Sequence, residues 1–191
     1  INPIKTTLNI PLDKKLIMYP PTSRDHQPIP QPSYQFNLNF HIQPFPQPLH
    51  HHYLILLPIH YLLLTRIHQH HHFLKHLSHY QHISHLYLIT HPLLTHYSSL
   101  IFHFPLLNPP QIFYPYHLDR YPHQLTPFYI HYKKHFPPPI LQNQTPLIHP
   151  LKHIHDTANH YIQPPTLFYQ KFSSLQHPHP SQPISQTIFK S

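Results

Sequence analysis

Glycine, valine, glutamate, cysteine and tryptophan are missing from this 191-residue chain, and alanine occurs once, at Ala158. Each absence closes a route. Without Gly, the phosphate-cradling G-x-G-x-x-G and G-x-x-x-x-G-K-[ST] loops and the G-x-S-x-G nucleophile elbow are excluded. Gly is also the residue that most readily takes positive φ, so turns and helix C-caps must rely on Asn or do without. Without Cys there are no disulfides and no thiolate metal sites. The acids are only Asp13, Asp25, Asp119 and Asp156, too few and too scattered for paired-carboxylate chemistry. Asp119 lies near His117 and Asp156 beside His155, but with 27 His in the chain such neighbours arise by chance.

The missing residues share neither size, charge nor polarity. They share codons. Gly, Val, Ala, Glu and Asp are encoded by triplets that begin with G, and Cys, Trp and Arg codons carry G at the second position. The abundant His, Pro, Leu, Gln, Ile, Thr, Tyr and Phe can all be written without it. The composition therefore suggests a coding strand depleted in G, and a chain that starts at Ile1 suggests a fragment, a non-ATG start or an arbitrary frame. On this reading the chain is the translation of a G-depleted frame with no selected biochemical function, and it is not an enzyme. Strand asymmetry of this kind also occurs in mitochondrial and other organelle DNA. The alternative is therefore a non-enzymatic, organelle-encoded component of an RNA–protein or membrane assembly. No segment suggests a family.

What is present points towards collapse without a fixed fold. Aromatic residues make up 14% and charged residues only 8%, unlike an ordinary disordered chain. Against that, 28 prolines remove backbone donors and push the preceding residues away from helix. The expected fold class is mostly irregular and disordered, Pro-rich, with one α-helical segment over 59–91 and no globular fold. Three stretches follow: a Pro-rich extended segment over 1–48, an apolar and His-rich segment over 49–107, and a Pro-rich irregular segment over 108–191. In the second, Phe73, Leu77 and Tyr80 fall at helical spacing. The third includes a short helix over 151–163 and a disordered tail from Gln176.

Two apolar stretches, Tyr53–Leu64 and Leu86–Leu107, bear on membranes. A spanning helix needs about 20 mainly apolar residues. The first stretch is too short and holds Pro58 and His60; the second is interrupted by His91, Pro92, His96, His103 and Pro105. Membrane association is not favoured, and YLILL and LYLI are expected to behave as aggregation-prone β segments. The formal charge of +8 arises because acids are rare. Its only clusters are Lys14-Lys15 and Lys133-Lys134, which make no nucleic-acid footprint.

Histidine is the remaining lead. In a helix His68, His72 and His76 would stand at successive i,i+4 positions, with His79 one turn on, a pattern suited to Zn, Cu or Ni. The alternative function is accordingly a His-based metal binder. The i,i+4 pairs within His50–His103 are only 68/72 and 72/76, whereas random placement at that density yields about four. Binding there is expected to be opportunistic, and no cofactor is implied. Because imidazole titrates near 6.5, acidification adds many charges to the chain. Light scattering should find it expanded and soluble near pH 5 and compact and self-associating near pH 8.

Overall fold

Of the two short apolar runs that on their own look like aggregation hazards, YLILL forms a strand within a parallel sheet, whereas LYLI lies in a helix. The computed structural model describes residues 1–21, 45, 47–58, 72–96, 98–104, 110–116, 118, 139–143, 148–152, 170–172, 179 and 181–189. Five strands, β1 (Lys15–Met18), β2 (Tyr53–Leu57), β3 (Leu74–His76), β4 (Leu93–Thr95) and β5 (Gln111–Phe113), lie in the order β3-β2-β1-β4-β5. All four pairings are parallel, with Ile17 opposite Ile55, Ile55 opposite Leu74, Met18 opposite Leu93 and Leu94 opposite Ile112. A parallel bridge from Phe113 to Ile140 extends the sheet beyond β5. The helices are α1 (Asn2–Thr7), α2 (Gln47–His52), α3 (Ile83–Ile89), α4 (Leu100–His103), α5 (Ile148–Lys152) and α6 (Ser181–Ile188).

Parallel sheets are covered on both faces, so their strands read as unbroken apolar runs with no polar alternation. YLILL in β2 is such a run, with all five residues buried. One face of the sheet carries Ile17, Tyr19, Ile55, Leu57, Leu94 and Ile112, covered by Leu49 of α2 and Leu151 of α5. The other carries Leu16, Met18, Leu54, Leu56 and Leu93, covered by Leu8 after α1, by Leu86 and Ile89 of α3, and by Phe104 just past α4. Residue parity along each strand thus sorts the side chains into two cores.

Proline and the lack of glycine are accommodated at the ends of elements. Pro92, Pro110 and Pro139 each precede a strand or bridge residue and serve only as acceptors, from Met18 N–H (3.1 Å), Leu93 N–H (2.9 Å) and Phe113 N–H (2.9 Å). A proline at a strand start keeps its carbonyl, so the missing N–H costs the ladder nothing. After α1, Asn9 takes φ 50°. Its N–H donates to Thr6 O (3.0 Å) and Ile10 N–H donates to Lys5 O (2.8 Å), which is a Schellman cap with Asn in the place usually held by Gly. Lys5 Nζ is buried beneath this turn and donates to Leu12 O (3.1 Å) and Lys14 O (2.7 Å). Burial lowers its pKa, and nearby Asp13 partly opposes the shift. Lys14 Nζ in turn donates to the His50 and His51 carbonyls at the end of α2, where a cation complements the helix dipole.

These observations overturn the expectation of a mostly irregular, disordered chain: the fold is globular α/β around a five-strand parallel sheet. A helix over 59–91 does not form. Residues 74–76 are strand and only 83–89 are helix, while 59–71 lie outside the described residues. The Phe73, Leu77 and Tyr80 spacing was misleading because Phe73 and Leu77 flank a strand and pack on opposite faces of the sheet. Within Leu86–Leu107 the chain forms α3, β4 and α4, residues 97 and 105–107 lie outside the described residues, and no helix of the described residues is long and apolar enough to cross a membrane. Of 151–163, Leu151 and Lys152 end α5 and the rest lies outside the described residues; the tail beyond Gln176 carries α6. Leu56 lies fully buried in β2, between two neighbouring strands. Leu56→Ala should destabilise the fold by about 2–5 kcal/mol, read as a drop in the denaturant midpoint with an unchanged slope.

Candidate functional site at the carboxyl edge of the sheet

The chain leaves β1 to build β2 and β3 on one side, then returns to build β4 and β5 on the other. The order reverses between β1 and β4, and in open α/β sheets a ligand binds outside the carboxyl ends of the strands at such a switch point. The amino end of β1 is closed by backbone and side-chain pairing. Leu16 N–H donates to His91 Nδ1 (3.1 Å), and His91 N–H donates to Leu16 O (2.8 Å).

At the carboxyl ends the ladder runs one residue beyond the strands. Tyr19 N–H donates to Leu56 O (2.9 Å) and Tyr114 N–H to Thr95 O (2.7 Å). These bonds fix the residues that leave the sheet: Tyr19, Pro20 and Pro21 from β1, Thr95 and His96 from β4, and Tyr114, Pro115 and Tyr116 from β5. Their rings form a continuous aromatic wall. His96 is fully buried and stacks on Tyr116 with centroids 5.8 Å apart and planes at 18°. Tyr19 stands 6.1 Å from His96, and Tyr114 stands 5.4 Å from Tyr116. Burial raises the Tyr114 pKa, so its phenol stays protonated and able to donate. Beyond His96, Ser98 Oγ accepts from Leu100 N–H (3.3 Å) and starts α4, and Ser99 is exposed. Thr95 Oγ1 is buried with no hydrogen-bond partner among the described residues. An unsatisfied buried hydroxyl costs about 1–3 kcal/mol. Among the described residues the edge therefore carries a buried layer of rings and the Thr95 hydroxyl, with Tyr116, Ser98 and Ser99 reaching the surface and no cluster of fixed charge.

The residues singled out from sequence fall elsewhere. His68 lies outside the described residues. His72 is exposed before β3, His76 ends β3, and His79 is exposed in the following turn. The i,i+4 spacing of His72 and His76 shares no helical face because a strand intervenes. Among the described residues no group of three or more His, Cys, Asp or Glu is placed to hold a metal. The residues at the carboxyl ends of the strands were missed, although a signal existed. LIMYPP, LLTH and QIFYPY are each an apolar run ended by a ring or a proline, the mark of a chain leaving a buried strand.

Fold and edge together define the class: an open, parallel α/β protein with a topological switch point between β1 and β4. A family model for CDP-glycerol:poly(glycerophosphate) glycerophosphotransferase matches residues 1–190. A teichoic acid glycerol-phosphate transferase of Staphylococcus aureus (strain NCTC 8325 / PS 47) is 56% identical over 190 residues, covering 100% of this chain and 49% of that protein. A teichoic acid poly(glycerol phosphate) polymerase of Bacillus subtilis (strain 168) is 33% identical over 194 residues, covering 100% of this chain and 26% of that protein. The solved structure of a histidine-to-asparagine variant of the wall teichoic acid polymerase TagF matches with a TM-score of 0.84 at 34% identity, covering 99% of this chain and 46% of that one. The chain belongs to the CDP-glycerol:poly(glycerophosphate) glycerophosphotransferase family. It spans about half or less of the length of these relatives.

This membership corrects the reading of the chain as a G-depleted frame with no selected function. An unselected frame does not match a transferase along its whole length and fold as its relatives do. The organelle-encoded non-enzymatic component and the metal binder fall with it as accounts of what the protein is for. The expectation of no enzyme falls too, because the homologues are teichoic acid glycerophosphate transferases. The unusual composition marks neither disorder nor an uncharacterised product.

His76 yields a pH prediction. Both ring nitrogens are buried without a hydrogen-bond partner among the described residues, and burial lowers its pKa below the ordinary 6.5. Below that value the unfolded chain binds the proton first. Stability contributed by the neutral ring is therefore complete above about 6.5 and is lost as pH falls through it towards the folded pKa. The denaturant midpoint should fall more steeply between about pH 7.5 and about pH 5 in the natural chain than in His76→Asn. Equal slopes would show that His76 carries no such linkage.

Proposed function

We propose that this chain holds a CDP-glycerol donor at the β1/β4 switch point, for transfer of glycerol phosphate to a poly(glycerol phosphate) acceptor of teichoic acid. The observation that carries the reading is the reversal of strand order between β1 and β4 in a chain of this family. In the transfer, an acceptor hydroxyl oxygen bonds the phosphorus that bears glycerol. The phosphoanhydride bond breaks, cytidine monophosphate leaves, and the hydroxyl proton passes to a base or to water. Phosphoryl transfer asks a protein mainly for positioning and for stabilisation of phosphate charge. Tyr116, partly exposed and backed by the buried rings of His96 and Tyr19, suits the first demand. With no Gly-rich loop available, hydroxyls and main-chain N–H groups near Thr95, Ser98 and Ser99 must meet much of the second.

Thr95 offers a test. A bound donor gives its buried hydroxyl the partner that it lacks, whereas Thr95→Val removes the hydroxyl at nearly constant shape. Calorimetry of the full chain with CDP-glycerol should show saturable binding. Thr95→Val should weaken it about ten-fold, or about 1.4 kcal/mol, while leaving the fold at least as stable. Lack of saturation with CDP-glycerol at millimolar concentration would overturn the reading. Equal affinity in the two proteins would take Thr95 out of the site.

A further inference from the structure

A second feature of the carboxyl side owes nothing to the switch point. Between β3 and α3 the chain turns at Leu77–Tyr80, with Tyr80 N–H donating to Leu77 O (3.1 Å), and then enters α3 through His82. Tyr80 packs its ring against the core beneath α3. Its hydroxyl reaches His85 Nδ1 at 2.8 Å. His82 is exposed and His85 half-buried, and their ring centroids stand 4.9 Å apart with planes at 34°. We infer that His82 and His85, backed by Tyr80, form a two-imidazole site for a divalent transition cation such as Zn²⁺.

The argument is geometric. A zinc ion sits about 2.0–2.1 Å from an imidazole nitrogen, hence about 3.2 Å from the ring centre. Two rings sharing one ion at a tetrahedral angle then have centres about 5 Å apart, the separation observed. The hydrogen bond at His85 supplies the orientation. Metal-bound histidines characteristically donate their second ring N–H to an oxygen, which fixes tautomer and ring plane. With Nδ1 held by Tyr80, Nε2 is the His85 nitrogen left for a metal. The phenol then accepts from Nδ1–H, a role a hydroxyl fills as readily as donation. Three other described histidines are committed differently: His50 stacks on Phe73 at 4.2 Å, His96 stacks on Tyr116, and His91 Nδ1 accepts from Leu16 N–H. No third protein ligand converges among the described residues, so water completes the coordination and the affinity is that of a bidentate site. This placement differs from His68, His72, His76 and His79, because a turn and the start of a helix bring the rings together.

The test is a titration of the full chain, ¹⁵N-labelled at its imidazoles, with Zn²⁺ alone up to one equivalent. The ring signals of His82 and His85, identified by their loss in His82→Asn and His85→Asn, should shift together and saturate. In His82→Asn the His85 signal should no longer move at the same zinc concentration. Tyr80→Phe should weaken the affinity read at His85 about ten-fold. If a variant fails to fold, the natural chain still decides, because His85 is identified by its contact with Tyr80. One ring shifting without the other, or both staying still while other histidines take the first equivalent, would overturn the site. Unchanged affinity in Tyr80→Phe would remove the phenol from it.

Discussion

The structure depends on covering both faces of one parallel ladder at once. β2 pairs with β3 and β1 and is buried at all five positions, so water reaches neither its edges nor its side chains. This arrangement turns YLILL from an aggregation hazard into the centre of the molecule, because the backbone groups that would recruit another chain are already paired. Everything else follows from it. Two apolar cores exist because each strand sends alternate residues to opposite faces, and the helices have their places because both faces need cover. The switch point exists because the chain adds strands first on one side of β1 and then on the other.

The composition tests how much a fold can do without. Gly is absent, yet the turn after α1 closes because Asn9 tolerates positive φ. Proline is abundant, yet Pro92, Pro110 and Pro139 sit at boundaries where only a carbonyl is required. Without Val and nearly without Ala, large aliphatic and aromatic side chains fill both cores. A residue type is damaging only where its particular defect is exposed, and these residues stand where theirs is not.

The two sides of the sheet divide the work. At the amino side His91, Lys5 and Lys14 are consumed in structural bonds to carbonyls and N–H groups. At the carboxyl side the groups are rings and hydroxyls left over after the ladder is complete, with Thr95 Oγ1 still lacking a partner. Family membership gives that edge its chemical context, and the chain spans about half or less of the length of the relatives that it matches. The paired rings of His82 and His85 lie on the same side but draw on a different physical resource, a phenol anchored in the core that sets an imidazole's direction.

Some of this was legible in the chain itself. The apolar runs, the proline positions, the exclusion of Gly-rich phosphate loops and the need for Asn at a helix end are local properties, fixed by side-chain chemistry and backbone sterics. The pairing partners were not legible. A run such as LLT has the same local character whether it spans, aggregates or joins a sheet, and only its alignment with Met18 and Ile112 decides among them. The same holds for histidine. Spacing along the chain drew attention to His68, His72, His76 and His79, whereas nearness in space set His96 against Tyr19 and Tyr116, and His82 against His85. Composition determined which chemical groups this protein could use. Tertiary structure decided which of them meet, because in a parallel sheet adjacent strands are joined by long crossovers, and the residues that share an edge are far apart in sequence.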